Sequence, residues 1–154
     1  MLARLRHWLL LLTALPGLLW DVRQRRLLAE MRAFTGRLPQ VLALPLPQAL
    51  ATLAPPASDL QLPTSDVRRL ADLTALLDRR SPFGLCLRRS LVRYHFLRRA
   101  GLPIEVRFGA RFNDGQPDRE VTGHAWVTLN GEPYFEDGEN YQGFVVMVTF
   151  PRPG

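Results

Sequence analysis

The chain has 154 residues, 47% of them hydrophobic, which suffices for one domain with a real core and excludes a disordered protein. Its 20 basic residues are all arginine against 14 acids, and the net charge of +6 favours acidic partners. A single cysteine excludes an internal disulfide and any zinc site built from several cysteines, so a reducing cytoplasm is the expected compartment, with no metal or cofactor.

The arginines come in scattered pairs (Arg25-Arg26, Arg68-Arg69, Arg79-Arg80, Arg88-Arg89, Arg98-Arg99), many at positions predicted on the solvent faces of helices. No basic strand interleaved with aromatics is present, so nucleic acid is not the expected partner.

From Met1 to Trp20, Arg4 and Arg6 precede an apolar run, Trp8 to Trp20, that Thr13, Pro16 and Gly17 interrupt. A spanning helix needs roughly 20 apolar residues, and this run is shorter. No small-residue cleavage site comes after it, since the next residues are Asp21, Val22 and Arg23. The expectation is a packed helix or one lying on a membrane surface, a place that Trp8 and Trp20 would suit.

Leu27, Leu28, Met31 and Phe34 then keep helical spacing over Trp20 to Phe34, an amphipathic helix that requires a partner. Six prolines from Pro39 to Pro63 forbid a long helix and argue against a central strand. That stretch reads as an ordered or semi-flexible connector rather than a core element, with room for short helical turns such as Gln48 to Leu53. Thr64-Ser65-Asp66 supplies an N-cap, and Val67, Leu70, Leu73 and Leu77 form an apolar stripe ending at Asp78-Arg79-Arg80. The expected division is a helical, proline-rich region over 1–63 and a second domain over 64–154.

The next helix carries Cys86. Ser81 can cap it, Pro82 suits its first turn, and Leu87, Leu91 and Tyr94 recur at helical spacing until Gly101 and Pro103; a start at Gly84 fits equally. Amides and dipole at a helix N-terminus favour thiolate over thiol, and thiolate is the nucleophile. A lone cysteine in a helix is most often a small buried hydrophobe, so the case for chemistry rests on the residues downstream of Cys86.

After Pro103 the period changes to two: Ile104, Val106, Phe108, Ala110 and Phe112 alternate with Glu105, Arg107, Gly109 and Arg111, as in a half-buried strand. A polar loop, Asn113 to Glu120, leads to a second strand from Val121 to Leu129. Asn130-Gly131 signals a two-residue hairpin with a return strand over Glu132 to Glu136. Asp137 to Asn140 turn again, and Gly143 to Phe150 read as a final apolar strand. Helices followed by hairpin-connected strands imply an α+β domain with an antiparallel sheet.

His124 opens the run His-Ala-Trp-Val, and histidine is the usual base for a cysteine nucleophile. With Asn130 and Gly131 as the hairpin loop, Leu129 faces Glu132 and His124 faces Asp137. Asp137 could then orient the imidazole as the third member of a triad. One extra loop residue or a bulge would put Glu136 there instead.

Cysteine on a helix, histidine on a strand and acid on the next strand resemble the papain-like and transglutaminase-like fold. Cys86-Leu-Arg-Arg-Ser-Leu91, Leu97-Arg-Arg-Ala-Gly-Leu-Pro103, Phe108-Gly-Ala-Arg111 and His124-Ala-Trp-Val127 with Asn130-Gly131 resemble, more narrowly, the transglutaminase-like cysteine peptidases of lasso-peptide maturation. The resemblance covers roughly Ser81 to Phe150. It implies removal of the leader from a ribosomally made precursor, with Cys86 as nucleophile, His124 as general base and acid, and Asp137 (alternate Glu136) as the orienting acid. It also implies a separate leader-recognition protein, because residues 1–80 lack the alternating strands of a fused leader-binding module. A separate ATP-dependent cyclase would then close the ring. A transglutaminase-like acyltransferase, and a non-catalytic membrane or partner-binding protein, are the rival readings.

Overall fold

The computed structural model describes residues 20–56, 58–112 and 121–151. The expectations for Trp8 and for the loop at 113–120 fall outside those residues. Among the described residues no helix is long and apolar enough to cross a membrane, and Trp20 is exposed.

Helix α1 runs Val22–Val41, capped by Asp21, whose carboxylate accepts from the Arg23 amide at 2.8 Å. Its buried stripe is Leu27, Met31, Phe34 and Leu38. The helix outruns the expected end at Phe34 and holds Pro39 in its last turn. Proline removes one amide donor there, but Leu38 is wholly buried and the Leu42 amide still reaches the Leu38 carbonyl at 2.8 Å.

The proline-rich stretch is more than a connector. Pro45 and Pro47 sit at the start of helix α2, Leu46–Leu53, where a missing amide donor costs nothing, and Leu50 and Leu53 enter the core. Helix α3, Thr64–Leu77, buries Val67, Leu70 and Leu73 as expected, but its cap position is Pro63 without a side-chain bond, and Leu77 is exposed. Helix α4 spans Leu85–Arg99 with Gly84 at its cap.

Four strands complete the chain: β1, Ile104–Phe112; β2, Val121–Leu129; β3, Glu132–Pro133; and β4, Val145–Phe150. A one-turn helix α5, Gly138–Tyr141, lies between the last two. The sheet is antiparallel in the order β3-β2-β1-β4. β1 and β2 pair without interruption from Ile104 opposite Leu129 to Phe112 opposite Val121. Asn130 and Gly131 both take positive φ, 52° and 86°, as the hairpin signal requires.

One apolar cluster holds these layers together, drawing Leu27 and Met31 from α1, Val67 and Leu70 from α3, Leu91 and Leu97 from α4, and Ile104, Val106 and Val127 from the sheet. Residues on both sides of Pro63 therefore share one core. The arginines are less uniformly solvated than their scatter suggests: Arg88 and Arg93 on α4 are buried.

Candidate active site

Cys86 is the second residue of α4, directly after Gly84 and Leu85. Amides in a first helical turn have no intrahelical acceptor, so the Cys86 N–H is available to a ligand beside its own sulfur. One turn along the same face, the buried Ser90 hydroxyl donates to the Ala125 carbonyl at 2.8 Å. That bond pins α4 to β2 next to His124.

His124 pairs across the β1–β2 ladder with Gly109. Its ring lies among aromatics, stacked on Trp126 at 5.9 Å between centroids and 5.3 Å from Phe144, while Tyr141 of α5 lies on Trp126 at 6.5 Å. The Arg111 guanidinium covers Phe144 at 4.6 Å. His124 Nε2 is buried and has no hydrogen-bond partner, so no bond joins it to Cys86. Burial, and after it the positive charges of Arg89 and Arg111, hold the imidazole below the ordinary histidine pKa.

Gly109 is required by this arrangement. A Cβ there would come within 2.9 Å of two Trp126 ring atoms and 3.1 Å of the Phe144 Cβ. Gly109→Ala is therefore expected to push Trp126 off His124 and to cost about 1–3 kcal/mol, by the usual penalty of overpacking. Chemical denaturation and near-ultraviolet circular dichroism measure both effects; unchanged aromatic signals would contradict the packing account.

The acids fall differently from the expected register. Leu129 pairs with Glu132, Thr128 with Pro133, and the Tyr134 amide still reaches the Val127 carbonyl at 2.9 Å. There the pairing stops. Pro133 has no amide to donate, and Phe135 turns to a positive φ of 51°, so the return strand ends at Pro133 rather than Glu136. The ladder never reaches the level at which Asp137 would oppose His124. Asp137 is instead exposed at the N-cap position of α5, with no side-chain hydrogen bond to the helix amides.

Glu136 turns into the protein, where Arg89 contacts it at 2.6 Å and Arg93 at 2.9 Å. Arg93 also grips both oxygens of the buried Asp72, at 2.6 and 2.9 Å, and donates to the Phe135 carbonyl at 3.2 Å. Burial pushes the Glu136 carboxyl up while the two guanidiniums pull it down. This cluster ties α3, α4 and the turn after β3 together. Sequence spacing did not single out Arg93 or Asp72, because nothing in a helical stripe marks a charged residue as buried.

Cys86 and His124 border one cavity of about 350 Å³. Gly84 and Leu87 of α4 form one side, and Phe108, Gly109, Gly123 and Ala125 of the sheet form the other. A Cβ at Gly123 would meet nothing within 4 Å, so the space is open beside the imidazole. A thiol at a helix start and a neutral imidazole facing the same void can take up a carbonyl compound between nucleophile and base. Among the described residues, no cluster of histidine, cysteine and acids could hold a metal ion.

No curated protein and no solved structure matches the chain. The family model of the transglutaminase-like superfamily matches residues 18–149, a stretch that begins before α1 and ends within β4. With that match covering most of the chain and reaching every helix and strand described above, this chain belongs to the transglutaminase-like superfamily.

Proposed function

We propose that this protein is a cysteine peptidase that removes the leader from a ribosomally made lasso-peptide precursor. The observation that carries the peptidase reading is the shared cavity of Cys86 and His124; the leader-removal reading rests on the Cys-Leu-Arg-Arg-Ser and His-Ala-Trp-Val motifs.

In this reaction His124 accepts the thiol proton as the Cys86 sulfur attacks the scissile carbonyl, and the Cys86 amide donates to the oxyanion. His124 passes that proton to the departing amine, leaving a thioester. A water then gives its proton to His124 and its oxygen to the carbonyl, releasing the acid and restoring the thiol. Thiol and imidazole come into line when substrate fills the cavity, as catalytic contacts commonly tighten in the complex. Asp137 is assigned the orienting role, since the Glu136 carboxylate is taken by Arg89 and Arg93, while α5 lies on Trp126 through Tyr141. The partners of this reading are the precursor, a leader-recognition protein and an ATP-dependent cyclase, in the cytoplasm or at a membrane surface.

Product mass decides between the chemistries. Incubation of purified protein with precursor and recognition protein should give free leader and free core; a leader joined to an added amine would establish acyl transfer instead, and intact precursor would overturn both.

The surroundings of His124 make it a neutral base at physiological pH. Its depressed pKa means that the imidazole gains a proton only below the ordinary value of about 6.5. Nuclear magnetic resonance titration of Cys86→Ala protein should place the His124 midpoint below that value. Arg111→Gln, which removes one positive neighbour, should move the midpoint upward. A midpoint above the ordinary value would contradict the assignment.

A further inference from the structure

A second cavity, of about 460 Å³, lies between the later turns of α1 and the loop that joins α3 to α4. Arg32 rises on one side and Arg79 and Arg80 on the other, all three exposed and, among the described residues, none of them in an ion pair or side-chain hydrogen bond. The wall contains one acid, Asp78, and the buried Arg88 stands 3.9 Å behind it with two guanidinium nitrogens lacking hydrogen-bond partners. Asp78 is thus already balanced from within, and three positive charges face the void unmatched. Gly36 opens the floor: a Cβ there would meet nothing within 4 Å. A glycine inside a helix costs about 1 kcal/mol relative to alanine, and no crowding demands this one.

We infer that this cavity binds a run of acidic side chains on a peptide. The inference rests on the peptidase reading for the peptide's identity, and it adds that the acidic run belongs to the chain being cleaved. The connecting loop supplies the link: Arg79 and Arg80 wall the basic cavity at one end, and Gly84 walls the Cys86 cavity at the other. Arg80 and Gly84 are four positions apart in the chain, which limits their separation to roughly 14 Å by the reach of an extended backbone, a span that about five residues of a substrate would cross. Nucleic acid fits less well. The cavity wall has no aromatic side chain on which a base could stack, and the hydroxyls of Thr35 and Thr74 already donate to the Arg32 and Leu70 carbonyls.

The test measures binding without turnover, by fluorescence anisotropy of a labelled peptide carrying four glutamates, on full-length Cys86→Ala protein at low salt. The glutamate peptide should bind at least tenfold more tightly than its glutamine counterpart. Arg32→Gln, Arg79→Gln and Arg80→Gln should each weaken it about threefold to fivefold, the scale of an exposed charge pair. Arg26→Gln, the same charge change at an exposed site elsewhere on α1, should leave binding within twofold. Equal loss in Arg26→Gln would reduce the effect to diffuse charge and overturn the site, as would equal binding of the two peptides. Tighter binding of an oligouridylate of equal charge would overturn the peptide assignment. Because Cys86→Ala protein cannot cleave, failure here leaves the thioester chemistry standing, and failure of cleavage by the native enzyme leaves the binding result intact.

Discussion

Cys86→Ala protein is expected to fold normally and to lose leader removal entirely, with kcat falling by on the order of 10⁴-fold or more, as when other covalent catalysts lose their nucleophile. His124→Ala should fall comparably, because without a base the thiol keeps its proton and the leaving amine receives none. Asp137→Asn should give a smaller loss of kcat with little change in stability, since asparagine serves a helix N-cap as well as aspartate does. Glu136→Gln should instead lower stability, because its carboxylate is bound by two guanidiniums. Product formation by mass spectrometry, with melting curves for each variant, separates these outcomes. Full processing by Cys86→Ala protein would end the covalent mechanism. Loss of turnover in Glu136→Gln without loss of stability would transfer the orienting role to Glu136.

The largest stability effect should come from Arg93. Its side chain is 3% exposed and neutralises Asp72 and Glu136, themselves 7% and 0% exposed. Arg93→Met leaves the buried Asp72 with Arg68 alone, at 3.3 Å, and Glu136 with Arg89 alone, and breaking a buried pair costs about 3–5 kcal/mol. For a domain of this size that lowers Tm by about 6–20 °C. Arg99→Met is the contrasting case. Arg99 bonds Asp59 and Glu30, but these acids are 55% and 51% exposed, and exposed pairs contribute about 0–1 kcal/mol each. Thermal unfolding of the two variants should therefore differ by several degrees at least; equal melting temperatures would show that the buried cluster is not holding α3, α4 and the turn after β3 together.

Periodicity made the middle of this protein legible. The stripe Leu27, Met31 and Phe34, the alternation from Ile104 to Phe112, and Asn130-Gly131 each encode a local geometry that needs no distant contact to be recognised. The same local rules misjudged Pro39 and the α2 segment. Proline's cost is local, but the gain from burying Leu38, Leu50 and Leu53 depends on what lies across the core. They also misplaced the return strand: Phe135 leaves the extended region just as Glu136 is drawn to Arg89 and Arg93, and those arginines sit more than forty residues away.

By itself the sequence determined the order of helices and strands, the placing of Cys86 at a helix start and of His124 on a strand, and the mixed α+β class. Only the tertiary structure decided that thiol and imidazole border one void, that Arg88 and Arg93 are interior, and that Arg32 joins Arg79 and Arg80 around another cavity. The physical reason is range: hydrogen-bonded local conformation depends on residues a few positions apart, whereas burial and charge pairing depend on neighbours that only the folded chain brings near.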